Sequence, residues 1–392
     1  MSLGPGGKLL LVLAGLAIIG LTLHHAGYLR QLDPLLARLR HRPPPPKPLS
    51  LADFPPGAAA PSAGLSAMPS RPLKLAVPAR AGAASLLWLA GGAGQHPDAP
   101  AQRAYALPLE LRVGTDADAI RDALTQGPSR GGVDAALISV NELGMRWPGY
   151  RDAAPRAVAL VARSQGSVAL AAAAGTDAPK DLRGKKLALP RAGPGRYFGL
   201  FELARAGLGL GDVKLVPVDD SAAAAAALHT SRAEAAVGLV DDLTPAAQAR
   251  AGKVLATSSD TPFLIDLVLV VRGDLLARYP EAVRRLVRGA LDANTAVRTN
   301  TLEGARALSA AMNPSGDPVK AIASEPPATL KENLAFFGIE GDAPVHFDEL
   351  YDSAANLSVR LGQIPSGLNP DEILDTGPLR AVAATPSAPA HR

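Results

Sequence analysis

A chain of 392 residues, 47% apolar and only 4% aromatic, has room for two domains whose cores are built mainly from Ala, Leu and Val. Its formal charge of +4 is spread out, with no basic element interleaved with aromatics, so no nucleic-acid partner is expected. The absence of cysteine excludes disulfides, thiolate metal sites, cysteine nucleophiles and a bacterial lipoprotein anchor.

Lys8 precedes an uninterrupted apolar run from Leu9 to Leu23. The run is short of the roughly 20 residues that span hydrocarbon, as a signal-peptide core would be. Bulky His24, His25 and Tyr28 leave no small-x-small cleavage site, so residues 1–30 are expected to be an uncleaved membrane anchor, with a cleaved signal segment as the alternative. Arg30, Arg38, Arg40 and Arg42 follow it, and the positive-inside rule alone would keep the bulk of the chain in the cytoplasm. Residues 31–72, with the proline run Pro43 to Pro46, read as a semi-rigid Pro/Ala-rich linker, and residues 381–392 as a disordered tail.

Between these ends strands and helices alternate. Strands are expected at Lys74 to Val77, Leu109 to Val113, Val133 to Ile138 and Ala157 to Ala162, with helices at Ser85 to Ala90 and Ala117 to Gln126. Val168 to Ala173 is a strand or a buried helical turn, because a short apolar run has no telling period. Strands follow at Leu187 to Leu189, Val213 to Pro217, Ala235 to Val240 and Leu264 to Val271. The helices among them are Arg196 to Ala206, Ser221 to Leu228 and the long Pro280 to Asn300. Such alternation predicts parallel sheets covered by helices, with ligands at the carboxyl ends of the strands.

Several short motifs recur in order. Gly131-Gly132-Val133-Asp134-Ala135-Ala136 is echoed by Ala233-Glu234-Ala235-Ala236-Val237. Asp181-Leu182-Arg183-Gly184-Lys185-Lys186 precedes a strand, and Ala192-Gly193-Pro194-Gly195-Arg196-Tyr197 precedes a helix. Leu255-Ala256-Thr257-Ser258-Ser259-Asp260 and the stretch from Arg272 to Glu281 complete the series. Together they resemble the periplasmic solute-binding proteins of the alkanesulfonate, taurine and thiamine-precursor (NMT1-like) type, over about three-quarters of the chain. Glu332 to Phe337, Glu349 to Asp352 and Asp375 to Arg380 are similar to a membrane-anchored subfamily often fused to an OmpA-like domain, for which these 392 residues leave no room.

The resemblance implies an α/β type II periplasmic-binding-protein fold, two lobes joined by a hinge around a cleft. The first lobe would take 73–163 and return with 263–380, which ends in C-terminal helices, and the second would take 164–262. It implies the solute-binding component of an ABC-type uptake system, handing a small solute to an inner-membrane permease, with the bulk of the chain periplasmic, no cofactor and no catalysis. Where the family commonly places a Trp and a Pro near the ligand, this chain has Gly238-Leu239-Val240-Asp241-Asp242, so the solute is not inherited from the resemblance.

Candidate ligand contacts follow from strand ends and loops. Gly193, Gly195, Arg196 and Tyr197 open a helix whose free N–H groups would suit an anion, or form a plain turn. Ser139 and Asn141 end a strand and are either ligand contacts or caps. Ser164, with Gln165 and Ser167, lies where the chain should cross between lobes. Asp241 would take an amine or lie in solvent, and Gly82 sits in the first loop, Arg80 to Ala84, where the family's site begins. An anionic solute is the first expectation. Enzymatic readings find little: His96, His229 and His346 are scattered, and no G-x-S-x-G elbow follows a strand. A tethered envelope sensor or scaffold that keeps the fold without transport is the competing reading.

Overall fold

The computed structural model describes residues 68–385 except 115 and 313. The expected anchor at 1–30 and most of the linker at 31–72 lie outside these residues. Among the described residues no helix is long and apolar enough to cross a membrane.

The first lobe is built on β1 (Leu73–Pro78), β2 (Gly94–Gln95), β3 (Leu109–Gly114), β4 (Ala135–Ser139), β5 (Arg156–Arg163) and a late arrival, β11 (Asp266–Val271). Their order is β2-β3-β1-β4-β11-β5. The second sheet runs β10-β6-β9-β7-β8, from β6 (Val168–Ala172), β7 (Lys186–Pro190), β8 (Lys214–Val218), β9 (Ala235–Leu239) and β10 (Lys253–Thr257). In each sheet three strands run parallel (β3-β1-β4 and β8-β7-β9), and the next strand runs antiparallel to them. That fourth strand is β11 in the first lobe and β6 in the second, the two segments flanking the crossings. The two lobes therefore repeat one topology, as expected of a type II periplasmic-binding-protein fold. The ambiguous run at Val168 is a strand because β9 and β10 pair with its two edges.

Central strands are buried throughout: every residue of β4 and β11 is buried, and all but Ser139 and Asp266 are apolar, as suits strands covered on both faces. The covering helices begin with α1 (Ala84–Ala90), α2 (Pro100–Tyr105), α3 (Ala117–Gln126) and α4 (Val140–Arg146) in the first lobe. The second lobe adds α5 (Gly193–Arg205), α6 (Ser221–His229) and α7 (Val240–Gln248). The chain then returns through α8 (Gly273–Arg278), α9 (Pro280–Thr299), α10 (Thr301–Met312), α11 (Pro318–Ala323), α12 (Leu330–Phe336), α13 (Phe347–Arg360) and α14 (Gly377–Ala383). Helix α14 carries regular structure three residues into the stretch expected to be a tail, because Leu379 and Val382 are buried in the first core.

The repeated acidic motif has a structural job. Asp134 accepts from the Lys74 N–H at 2.9 Å and from both Arg71 guanidinium nitrogens at 2.7 Å, and Glu234 accepts from the Lys186 N–H at 2.7 Å. Each carboxylate thus satisfies an orphan donor at the start of a neighbouring parallel strand, at the end of the sheet opposite the cleft.

Candidate functional site

Two segments cross between the lobes, Arg163 to Val168 outward and Thr257 to Asp266 on the return. Where they leave the first sheet, Arg163 and Asp266 face each other in register and are both buried, with Nε to Oδ1 at 3.0 Å. The other Asp266 oxygen has no partner, and burial pushes this carboxyl up to about 6 against the pull of Arg163. Midway along the crossings, the Ser164 hydroxyl meets those of Ser167 at 2.6 Å and Ser258 at 2.7 Å. Ser258 also accepts from the Gly166 N–H at 2.9 Å. Three buried hydroxyls therefore lace the crossings together.

The carboxyl ends of the parallel strands from both sheets open into one cleft of about 260 Å³. Loops from both lobes line it: Pro78 to Arg80, Asp116, Ala117, Ser139 and Glu142 from the first, and Pro190, Gly193, Asp219 to Ala222, Gly238, Leu239 and Asp242 from the second. This is where the topology directs a ligand. Most of its lining is apolar, from residues such as Ile120, Leu137, Ile138 and Leu239.

Its polar groups are largely committed to the protein. Asp116 caps α3 by accepting from the Ala119 N–H, Asp220 caps α6 through the Ala223 N–H, and Ser139 caps α4 through the Glu142 N–H. At the start of α5 the Gly193 N–H donates to Glu142 Oε2 at 2.7 Å, a bond from one lobe to the other. Glu142 Oε1 accepts from Arg146 at 3.0 Å and from the Tyr150 hydroxyl at 3.2 Å. Burial raises the Glu142 pKa, opposed by Arg146, Gly193 and Tyr150. Because each of these three partners is a donor, the contacts favour the ionised form. Among the described residues Arg80 is the one cation lining the cleft, and it is buried and bonded to Glu325 and Ser167. Asp116, Glu142, Asp219, Asp220 and Asp242 line the same space, so carboxylates outnumber cations.

The expected contacts divide accordingly. Ser139, Gly193 and Gly195 line the cleft, and Ser139 is both cap and wall. Asn141 does not line it: fully buried, it donates to the Leu264 carbonyl at 3.1 Å. Ser164 belongs to the crossings. Helix α5 begins at Gly193, three residues before the expected start, so Arg196 and Tyr197 lie a turn inside it. Arg196 reaches the Pro190 carbonyl at 3.4 Å, its pKa lowered first by burial and then by Arg146. Tyr197 is buried and points to Ser353 of α13 at 3.0 Å. Gly82 is packed outside the cleft, where an added Cβ would come within 2.4 Å of Leu267. Asp241 lies in a second cavity beside Asp242 and Glu325, its carboxyl raised chiefly by burial and then by Asp242.

Sequence reasoning missed Glu142, Arg146 and Tyr150. It also missed the strap formed by α13. This helix packs on α4, where Gly144 lets the backbones approach, and Ser358 donates to the Met145 carbonyl at 2.8 Å. Met145 and Ala354 are buried with Leu187, Tyr197 and Phe198 of the second lobe, so α13 touches both lobes.

Comparison with known proteins agrees with this architecture. The family model described as NMT1/THI5 like matches residues 155–300. The alkanesulfonate-binding protein SsuA of Xanthomonas axonopodis pv. citri, bound to MOPS, has a similar structure, with a TM-score of 0.62 at 13% identity over 79% of this chain and 100% of that one. The nitrate-binding protein NrtA of Synechocystis PCC 6803 gives 0.60 at 16% identity, covering 81% and 89%. The desulfurization enzyme DSZB gives 0.52 at 14% identity, covering 80% and 99%. No curated protein matches the chain in sequence. The resemblance read from the motifs thus holds for the family match and for the fold, while likeness at these identities says nothing of the ligand.

Proposed function

We propose that this chain is the solute-binding component of an ABC-type uptake system, holding a small solute between its lobes and delivering it to a membrane permease. The observation that carries the reading is the cleft into which the strand ends of both lobes open. A solute touching both walls favours the closed form, since only that form makes both sets of contacts. Residues 1–30 would tether the clamp to the inner membrane, with its bulk in the periplasm.

The cleft's chemistry turns the expected solute away from an anion. The amino-termini of α3, α4, α5 and α6 each already give one N–H to Asp116, Ser139, Glu142 and Asp220 respectively, and Arg80 is neutralised by Glu325. What remains is an apolar chamber edged by carboxylates, which suits a neutral or cationic solute with an apolar body. A thermal-shift panel of amines, pyrimidines, neutral solutes, sulfonates and nitrate tests this. Stabilisation by a member of the first three classes supports the reading, and stabilisation by sulfonates or nitrate alone overturns the assignment of charge.

One observation favours a tethered sensor or scaffold instead. The lobes are joined at the crossings, by Glu142 to Gly193, and by α13, three ties that oppose opening. A folded chain stabilised by no member of the panel would support that alternative.

A further inference from the structure

The carboxylate of Glu142 stands at the amino-terminus of α5, a place whose free N–H groups suit an anion. It belongs to the first lobe, yet it receives the Gly193 N–H at the amino-terminus of a 13-residue helix in the second. It is 3% exposed, and its two oxygens take up a backbone N–H, a guanidinium N–H and a phenol hydroxyl. Gly193 has φ +78°, a conformation that side chains rarely adopt, so the backbone that aims this N–H depends on glycine. Arg146, the counter-charge, also pairs with Asp118 and lies near enough to Arg196 to lower its pKa. The surroundings of Glu142 thus amount to a complete anion pocket, filled from within.

We propose that Glu142 is a built-in anion that fixes the specificity of the cleft, closing it to anionic solutes by occupying the one place equipped to hold them. The idea rests on the solute-binding reading, but its consequence can be measured without knowing the solute. Truncating the side chain leaves the Gly193 N–H, the Arg146 guanidinium and the Tyr150 hydroxyl facing a space the size of a carboxylate. A small external anion should then take the vacated place and restore what the side chain supplied.

The test is chemical rescue in the full chain. Melting temperatures of wild type and Glu142→Ala are measured against increasing sodium formate, acetate and nitrate, with sodium chloride at matched ionic strength as the control. Glu142→Ala should melt lower than wild type, and formate or nitrate should raise its melting temperature saturably by at least about 2 °C beyond chloride. Wild type should show no such rise, and adding Arg146→Gln to the alanine variant should abolish it. A folded Glu142→Ala chain indifferent to all three anions overturns the proposal. If the alanine variant does not fold, calorimetric titration of wild type with nitrate and methanesulfonate decides: no saturable binding supports an occupied anion place, and binding contradicts it. Rescue can succeed even if no solute is ever found, so failure of this inference and failure of the solute-binding reading are separable.

Discussion

Asp266 gives the most quantitative prediction, because it pairs with Arg163 where both crossings leave the first sheet. Its carboxyl has an ordinary value of 3.8 and is pushed to about 6 in the folded chain, with burial outweighing the single bond from Arg163. Between those values the folded chain holds the proton and the unfolded chain has lost it. Stability from this group therefore falls as pH rises through the window, and is constant below and above it. A shift of roughly two pKa units corresponds to about 3 kcal/mol. Asp266→Asn cannot ionise, and its amide oxygen can still accept from Arg163. The stability of wild type relative to this variant should thus decline by about 2.4 kcal/mol between pH 4 and pH 7, the greater part of the whole effect. Contributions from other titrating groups, such as Glu281 and Asp274, whose pKa values are lowered, cancel in the difference. Urea unfolding followed by circular dichroism at half-unit steps of pH measures it. A difference that is flat, or that rises with pH, would show that Arg163 dominates and that the reasoning from burial is mistaken.

Other consequences follow from the ties between lobes. Ser258→Ala removes the acceptor for Gly166 and the partner of Ser164 in a buried position, and should cost about 1–3 kcal/mol in denaturant unfolding. Gly144→Ala would put a Cβ 2.5 Å from the Tyr351 carbonyl oxygen, so it should lift α13 from α4 and destabilise the chain by about 1–3 kcal/mol. Hydrogen exchange in that variant should speed up first in α13. Tyr197→Phe breaks the bond from α5 to Ser353 and should cost about 1 kcal/mol in thermal unfolding. If the strap opposes opening, Tyr197→Phe should also enlarge the radius of gyration seen by solution scattering.

Much of this architecture was legible because its elements announce themselves locally. Asp116 before and Gly127 after an apolar period mark the helix from Ala117 to Gln126 at its two ends, and the apolar run Leu267 to Val271 could only be a central strand. Arg196 and Tyr197 were misplaced because a Gly-Pro-Gly run reads as a loop, whereas Gly193 and Pro194 are already the first turn of α5. Strand β10 went unassigned and the C-terminal helices expected within 263–380 were not placed, although Thr329-Leu330-Lys331-Glu332 carries a capping box that could have shown α12. Glu142 had no such signal. A glutamate one turn past a strand is ordinary in sequence, and only the folding of one lobe over the other brings it to Gly193.

The central claim, capture of a small solute in the interlobe cleft, is tested most directly by calorimetric titration of wild type and Ala222→Trp with any compound that stabilises the chain. Ala222 lines the cleft at an exposed position, so a large side chain there should fill the chamber without disturbing the cores. The account predicts saturable binding of a neutral or cationic solute by wild type, lost in Ala222→Trp while its melting temperature is kept. Binding of equal strength in both proteins would place the solute elsewhere and contradict the account.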